Sequence, residues 1–192
     1  SIYKVPRMLH DQKIDTIICD KLKIDTPEAE FAIRDKIIEN LENPQHMINI
    51  AMVGKYVDLT ESYKSLNEAL IHAGIHAKTK VNIRYIDAET LDRVTITQLD
   101  KVDAILVPGG FGSRGVEGKI KAIEYARTQN IPFLGICLGM QLSVVEYARN
   151  VCGYKDANST EFNKNTKLPI IAIIDEWEDK SGNIETRNEN TD

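Results

Sequence analysis

Cysteine is scarce and poorly spaced for structural work: Cys19, Cys137 and Cys152 are an odd number with no CxxC pair. That argues against a disulfide framework or a zinc site, and reduced thiols suit the cytoplasm, the expected location. Long apolar runs are missing too. No stretch reaches the ~18 residues of a membrane-spanning helix, and the opening SIYKVPRMLHDQ lacks the apolar core of a secretory signal. Basic charge is not in excess, since 24 Lys and Arg stand against 29 Asp and Glu for a net charge of −5. Without a basic footprint, neither nucleic acid nor a membrane surface is an expected partner, and the acidic surface reads as solvated. Phosphate-loop signatures are also absent: there is no GxxxxGK followed by Ser or Thr, and no GxGxxG opening a helix.

What is present is enough for a core. The chain has 192 residues, 42% hydrophobic and 28% charged, which fits one domain plus a small appendage. Ser1 to Lys23 carries apolar residues in short helical patches broken at Pro6, and with no partner element before them they suggest that a preceding domain is absent. Thr26 as cap, Pro27 at the first position and the apolar face Phe31, Ile33, Ile37, Ile38 and Leu41 predict a linker helix up to Asn43. Residues 1–47 are therefore expected as an appendage and linker, and residues 48–192 as the main domain.

From Ile48 onward strands alternate with helices, the pattern of an α/β fold with an open, mostly parallel sheet and helices on both faces. Strands are expected at Ile48–Val53, Val81–Asp87, Val102–Pro108, Ile131–Ile136 and Pro169–Ile174. Helices are expected at Tyr63–Ala73, Val116–Thr128 and Leu138–Asn150, with a weaker helical stretch at Leu91–Leu99 and a hairpin turn at Ser181–Asn183. Ligands of such sheets bind beyond the carboxyl ends of the strands. Three loops fall there: Gly54 to Thr60, Gly109 to Gly118, and the turn at Cys137.

The last of these organises the rest. Gly135, Cys137 and Gly139 form GxCxG between a strand and a helix, the thiol counterpart of the GxSxG nucleophile elbow. A buried core cysteine is the bland reading of the same residue. A helix N-terminus favours an anion by only ~0.3–1 kcal/mol, less than a thiol needs to ionise at neutral pH, so a nucleophile here requires a base, normally His. The second loop, PGGFGSRGVEG, has four glycines within Gly109–Gly115 and a fifth at Gly118. Bare backbone N–H groups there suit an oxyanion or a substrate carboxylate, with Gly109 or Gly110 and Leu138 as donors; phosphate binding and a merely structural turn are the alternatives.

With VPGGFGSRGVEG, GICLGMQ and EYARNVCGYKDANSTEF in view, the chain resembles the class I glutamine amidotransferase domain of the CTP synthase family, a flavodoxin-like fold. The resemblance extends to VGKYVDLTESYKSLNEAL as a first strand and helix, and to residues 1–22 as the tail of a synthetase domain. It implies glutaminase chemistry: Cys137 attacks the side-chain amide of L-glutamine, and the released ammonia serves an ATP- and magnesium-dependent synthetase domain of the same chain that aminates UTP to CTP. It implies no cofactor for the present 192 residues, a homo-tetrameric parent, and GTP as activator. By the same resemblance Gly109, Gly110, Leu138, Gly139, Met140 and Gln141 border the oxyanion and substrate, Glu161 faces the substrate ammonium, and Arg114, Gly115 and Glu117 belong to a GTP-responsive lid. On the residues alone, Glu161 reads as a surface charge and the lid as a solvated loop.

One departure stands out. The family's base and its orienter, a His and a Glu two residues apart, follow the fifth strand, whereas His10, His46, His72 and His76 all precede Cys137. The chain is therefore expected to be a truncated domain, almost inactive alone. His72 and His76 share a helix face at i, i+4, but that helix should end at the sheet edge opposite the elbow, and two ligands without a nearby Cys make a weak zinc site. Two other readings remain: a non-catalytic binding or assembly module with a redox-sensitive Cys137, and another cysteine hydrolase built on the same elbow.

Overall fold

The computed structural model describes residues 2–55, 60–93, 96–174, 176–178 and 181–186. The chain divides into two compact units, residues 1–49 with 61–82, and residues 50–60 with 83–192.

The first unit opens with a 3-10 turn, Ile2–Lys4, then α1 (Val5–Asp11), α2 (Ile14–Leu22) and α3 (Ala32–Glu42). It adds the start of β1 (His46–Gly54), the 3-10 turn Thr60–Tyr63 from its second residue on, α4 (Lys64–His76) and the start of β2 (Thr79–Asp87). Two expectations are corrected here. Pro6 does not break a helix; it lies in the first turn of α1, where its missing N–H has no helical partner to lose. The linker helix begins at Ala32 rather than Pro27. Thr26 turns its hydroxyl to Cys19 Sγ, 3.6 Å away, while Phe31 is pinned against the His10 ring (centroids 4.7 Å apart) and under Arg7 (5.2 Å). These side-chain contacts hold the preceding residues off the helical path and override the local cap signals.

The second unit follows with α5 (Thr90–Arg93), a 3-10 turn at Ile96–Leu99, β3 (Ala104–Val107), α6 (Val116–Thr128), β4 (Phe133–Gly135) and α7 (Leu138–Asn150). Short strands complete it: β5 (Ala157–Ser159), β6 (Leu168–Ile171), β7 (Glu176–Glu178) and β8 (Ile184–Thr186). The main sheet runs β2-β1-β3-β4, with β1 parallel to β3 (Ile50 opposite Ala104) and β3 parallel to β4 (Ile105 opposite Phe133). Val53, Ile105 and Val107 from the strands meet Ile120 and Ile123 of α6 and Leu138, Leu142 and Val145 of α7 in one buried cluster. The result is the expected α/β architecture, a parallel sheet flanked by helices.

The fifth strand is the exception. The run from Pro169 to Ile174 does not extend the main sheet; its first part is β6, which pairs in parallel with β5 in a separate two-stranded sheet. Pro169 has no N–H to give to a central ladder, and the register slips between Asn158 and Ser159, so only a short pairing forms. The turn at Ser181–Asn183 does join an antiparallel hairpin, with Glu178 opposite Ile184. Of the loop from Gly54 to Thr60, residues 56–59 lie outside the described residues, as do residues 94–95 of the weaker helical stretch.

Candidate active site at the cysteine elbow

The elbow exists because two backbones approach closer than any side chain allows. A Cβ on Gly135 would lie 2.6 Å from the Gly139 carbonyl carbon, and one on Gly139 would lie 2.1 Å from Val107 O. Both are below the closest approach of real Cβ atoms, so glycine is obligatory at each position of GxCxG. Between them Ile136 donates its N–H to Val107 O at 3.0 Å, and Cys137 turns the chain at φ 51°, ψ −106° into α7. That is a strained backbone for a residue with a side chain. The thiol it carries is exposed.

The glycine loop after β3 meets this thiol directly. A Cβ on Gly109 would sit 3.4 Å from Cys137 Cβ and 4.0 Å from Sγ, so the loop backbone passes beside the sulfur. Among the described residues the N–H groups of Gly109, Gly110 and Leu138 take no hydrogen-bond partner, whereas Gly139 N–H goes to Ile136 O (2.9 Å) and Gln141 N–H to Cys137 O (3.1 Å). Gly139 serves the elbow by closeness alone. Met140 is exposed in the first turn of α7 and its carbonyl accepts the Ser143 hydroxyl at 2.6 Å; Gln141 is half-buried beside it.

Glu161 joins the loop too. It follows β5, its N–H bonds to the buried Ser159 hydroxyl at 3.2 Å, and its Oε1 accepts the Gly112 N–H at 2.9 Å. The lid residues are engaged elsewhere. Arg114 holds Glu89 at 2.7 Å, and Gly115, at φ 69°, opens α6 in contact distance of Ala88, where a Cβ would come within 3.0 Å of its methyl. Glu117 receives Arg149 Nη1 at 3.0 Å on both carboxylate oxygens.

Two residues that the sequence reading passed over also belong here. Lys55 Nζ donates to the carbonyl of Phe111 at the loop tip. Lys119 on α6 is only 1% exposed, and its ammonium is pulled down to about 8, first by burial, then by repulsion from Lys55, against the attraction of Glu161. A signal for Lys119 did exist: it shares the helix face of Val116, Ile120 and Ile123, where a lysine is out of place.

The histidines all fall in the first unit. His10 Nδ1 pairs with Asp15 at 2.6 Å, and His72 lies 3.9 Å from Glu68 with its ring edge-on to Tyr3. His72 and His76 line a pocket of that unit with Tyr3, Ile33 and Arg34. Among the described residues no group of three or more His, Cys, Asp or Glu is placed to hold a metal ion, and no helix is long and apolar enough to cross a membrane. A groove of about 590 Å³ on the second unit, lined by Ile123, Phe133, Val144 and Tyr147 among others, does not include Cys137.

Residues 58–186 match the model of the family described as glutamine amidotransferase class-I. Among solved structures the chain is similar to the Trypanosoma brucei CTPS glutaminase domain with bound acivicin, at 40% identity and a TM-score of 0.61. That match covers 70% of the present chain and 53% of the trypanosomal one, so the chain spans about half the length of that relative.

Proposed function

Because the chain belongs to the class I glutamine amidotransferase family, we propose that its elbow is the glutamine-binding half-site of a CTP synthase-type glutaminase. The observation that supports this is the approach of the loop backbone at Gly109 to the exposed Cys137 side chain, in a chain where the N–H groups of Gly109, Gly110 and Leu138 have no partner among the described residues. In this reading Cys137 Sγ attacks the side-chain amide carbon of glutamine, and the developing oxyanion is held by those donors. The C–N bond then breaks and ammonia leaves with the proton the thiol gave up. Water hydrolyses the thioester to glutamate and restores the thiol. Glu161 faces the substrate α-ammonium, with Met140 and Gln141 beside the bound amide.

Residues 83–192 contain no histidine. The proposal therefore assigns to this chain the nucleophile, the oxyanion donors and the ammonium-binding carboxylate, and turnover by the 192 residues alone is expected near background. The ammonia would serve an ATP- and magnesium-dependent amination of UTP to CTP on a synthetase domain of the parent, a homo-tetramer in this reading. Arg114, Gly115 and Glu117 would form a GTP-responsive lid there, for which Arg114 and Glu117 must leave Glu89 and Arg149.

Glutamine protection tests the reading. Cys137 is alkylated with iodoacetamide, and its adduct is mapped by mass spectrometry, with and without L-glutamine. Saturable slowing at Cys137 but not at exposed Cys152 is expected, and Glu161→Ala should raise the half-protecting concentration about tenfold, the loss of one charge-assisted hydrogen bond. Equal rates with and without glutamine would remove glutamine from this site. Oxidation of Cys137 by peroxide with no glutamine protection would favour the non-catalytic module instead.

A further inference from the structure

We propose that Lys55 is a positioning residue of the oxyanion loop, acting through the peptide between Phe111 and Gly112 that it shares with Glu161. The inference rests on the glutaminase reading above. The geometry is specific. The carbonyl of that peptide accepts from Lys55 Nζ and its N–H donates to Glu161 Oε1 at 2.9 Å, so one peptide plane is gripped from both edges by opposite charges. Both bonds are charge-assisted, the stronger class of hydrogen bond. A second measure agrees: a Cβ on Gly112 would lie 3.7 Å from Lys55 Nζ.

The loop needs such a grip. Gly109, Gly110 and Gly112 have no side chains to fix them, Gly112 stands at φ 82°, and Phe111 at the tip is 84% exposed and packs on little. Yet Gly109 and Gly110 must hold their N–H groups beside Cys137 for an oxyanion site to exist. The Phe111–Gly112 peptide is the next but one along the chain from Gly109, so fixing its plane limits the rotation open to the two donors before it.

Glu161 cannot be the lasting half of this grip. Its carboxylate has one task in the free chain, the Gly112 N–H, and a second when an α-ammonium arrives. Once the substrate draws on that carboxylate, Lys55 is what still fixes the peptide. The cation therefore matters most in the bound state. Lys119 sits close enough to Lys55 and Glu161 to feel both charges, repelled by the first and attracted by the second.

The same alkylation assay separates the outcomes, using the full 192-residue chain and its Lys55→Met, Lys55→Gln and Lys55→Arg variants. Each variant's half-protecting glutamine concentration is read against its own unprotected alkylation rate, and folding is checked by circular dichroism. Lys55→Met is expected to raise that concentration at least fivefold, Lys55→Gln by less, and Lys55→Arg to stay within twofold of the parent. Protection unchanged in both Lys55→Met and Lys55→Gln would overturn the positioning role while leaving the glutamine site standing. Lack of rescue by Lys55→Arg would also overturn it. No protection in the parent chain would overturn the glutaminase reading and this inference with it. If Lys55→Met fails to fold, the contrast between Lys55→Gln and Lys55→Arg decides the matter.

Discussion

At the scale of single residues, the elbow sets a cost that can be measured apart from its chemistry. Cys137 occupies positive φ with ψ at −106°, outside the left-handed region that non-glycine residues tolerate best. Such a conformation costs of order 1–3 kcal/mol for a residue with a Cβ. Cys137→Ala keeps that Cβ and its strain, whereas Cys137→Gly removes both. The glycine variant is therefore expected to be more stable than the alanine variant by about 1 kcal/mol, the reverse of their order in an ordinary helix or strand. Urea unfolding of the two proteins checks this; alanine the more stable would mean an unstrained turn. The elbow was legible from the sequence because GxCxG encodes a backbone constraint, two glycines where two main chains touch. Lys55 was not legible. Its partner is a backbone carbonyl 56 residues away, and no sequence pattern marks which carbonyl a lysine will reach.

At the scale of elements, α6 and α7 are tied by two ion pairs of different kinds. Arg149 bonds Glu117 near the surface, and Arg127 grips Glu146 through three contacts of 2.7 to 3.1 Å, with Asn150 adding a fourth at 3.1 Å. The Glu146 side chain is 2% exposed and that of Arg127 34%, so the two halves of the pair are not equivalent. Loss of Arg127 strands a carboxylate in the interior, while loss of Glu146 leaves a guanidinium that can turn to water. Arg127→Met should thus lower the melting temperature by several degrees. Glu146→Met should cost less, since the Arg127 guanidinium it leaves is 34% exposed and can turn to water. The double variant should be more stable than Arg127→Met alone. Thermal melts of the three proteins test it, and equal losses in both single variants would show that burial of the carboxylate is not what matters.

The same two helices show why some elements were readable and others not. The bounds of α6 and α7 match the sequence expectation residue for residue, because each begins at a backbone feature, Gly115 at φ 69° and the Cys137 elbow, that the motifs announce. α3 began late because Phe31 was claimed by His10 and Arg7, contacts between segments that periodicity cannot see. β5 is three residues, Ala-Asn-Ser, too short and too polar to carry an alternating pattern. Assigning β6 to the main sheet failed for a related reason: hydrophobicity predicts that a strand forms, not which edge it pairs with.

At the scale of the whole molecule, the buried Lys119 makes the stability of the second unit depend on pH. Its folded pKa is lowered from 10.5 to about 8, chiefly by burial, with Lys55 pushing the same way and Glu161 opposing. Above pH 10.5 the amine is neutral in both folded and unfolded chains and costs nothing. Between 10.5 and 8 the unfolded chain holds a proton that the folded chain lacks, so stability falls as pH drops through this window, by at most about 1.4 kcal/mol per pH unit. Below 8 both forms are protonated and the loss is complete, roughly 3 kcal/mol from the size of the shift. Lys119→Met fills the same space without the charge. It is expected to be more stable than the parent at pH 7 and to approach it toward pH 10. Urea unfolding at pH 7, 8, 9 and 10 gives the difference directly, because other titrating groups are common to both proteins. A difference that does not shrink over this range would mean that Lys119 is solvated in the folded chain, and that the cation beneath the glycine loop carries no desolvation cost.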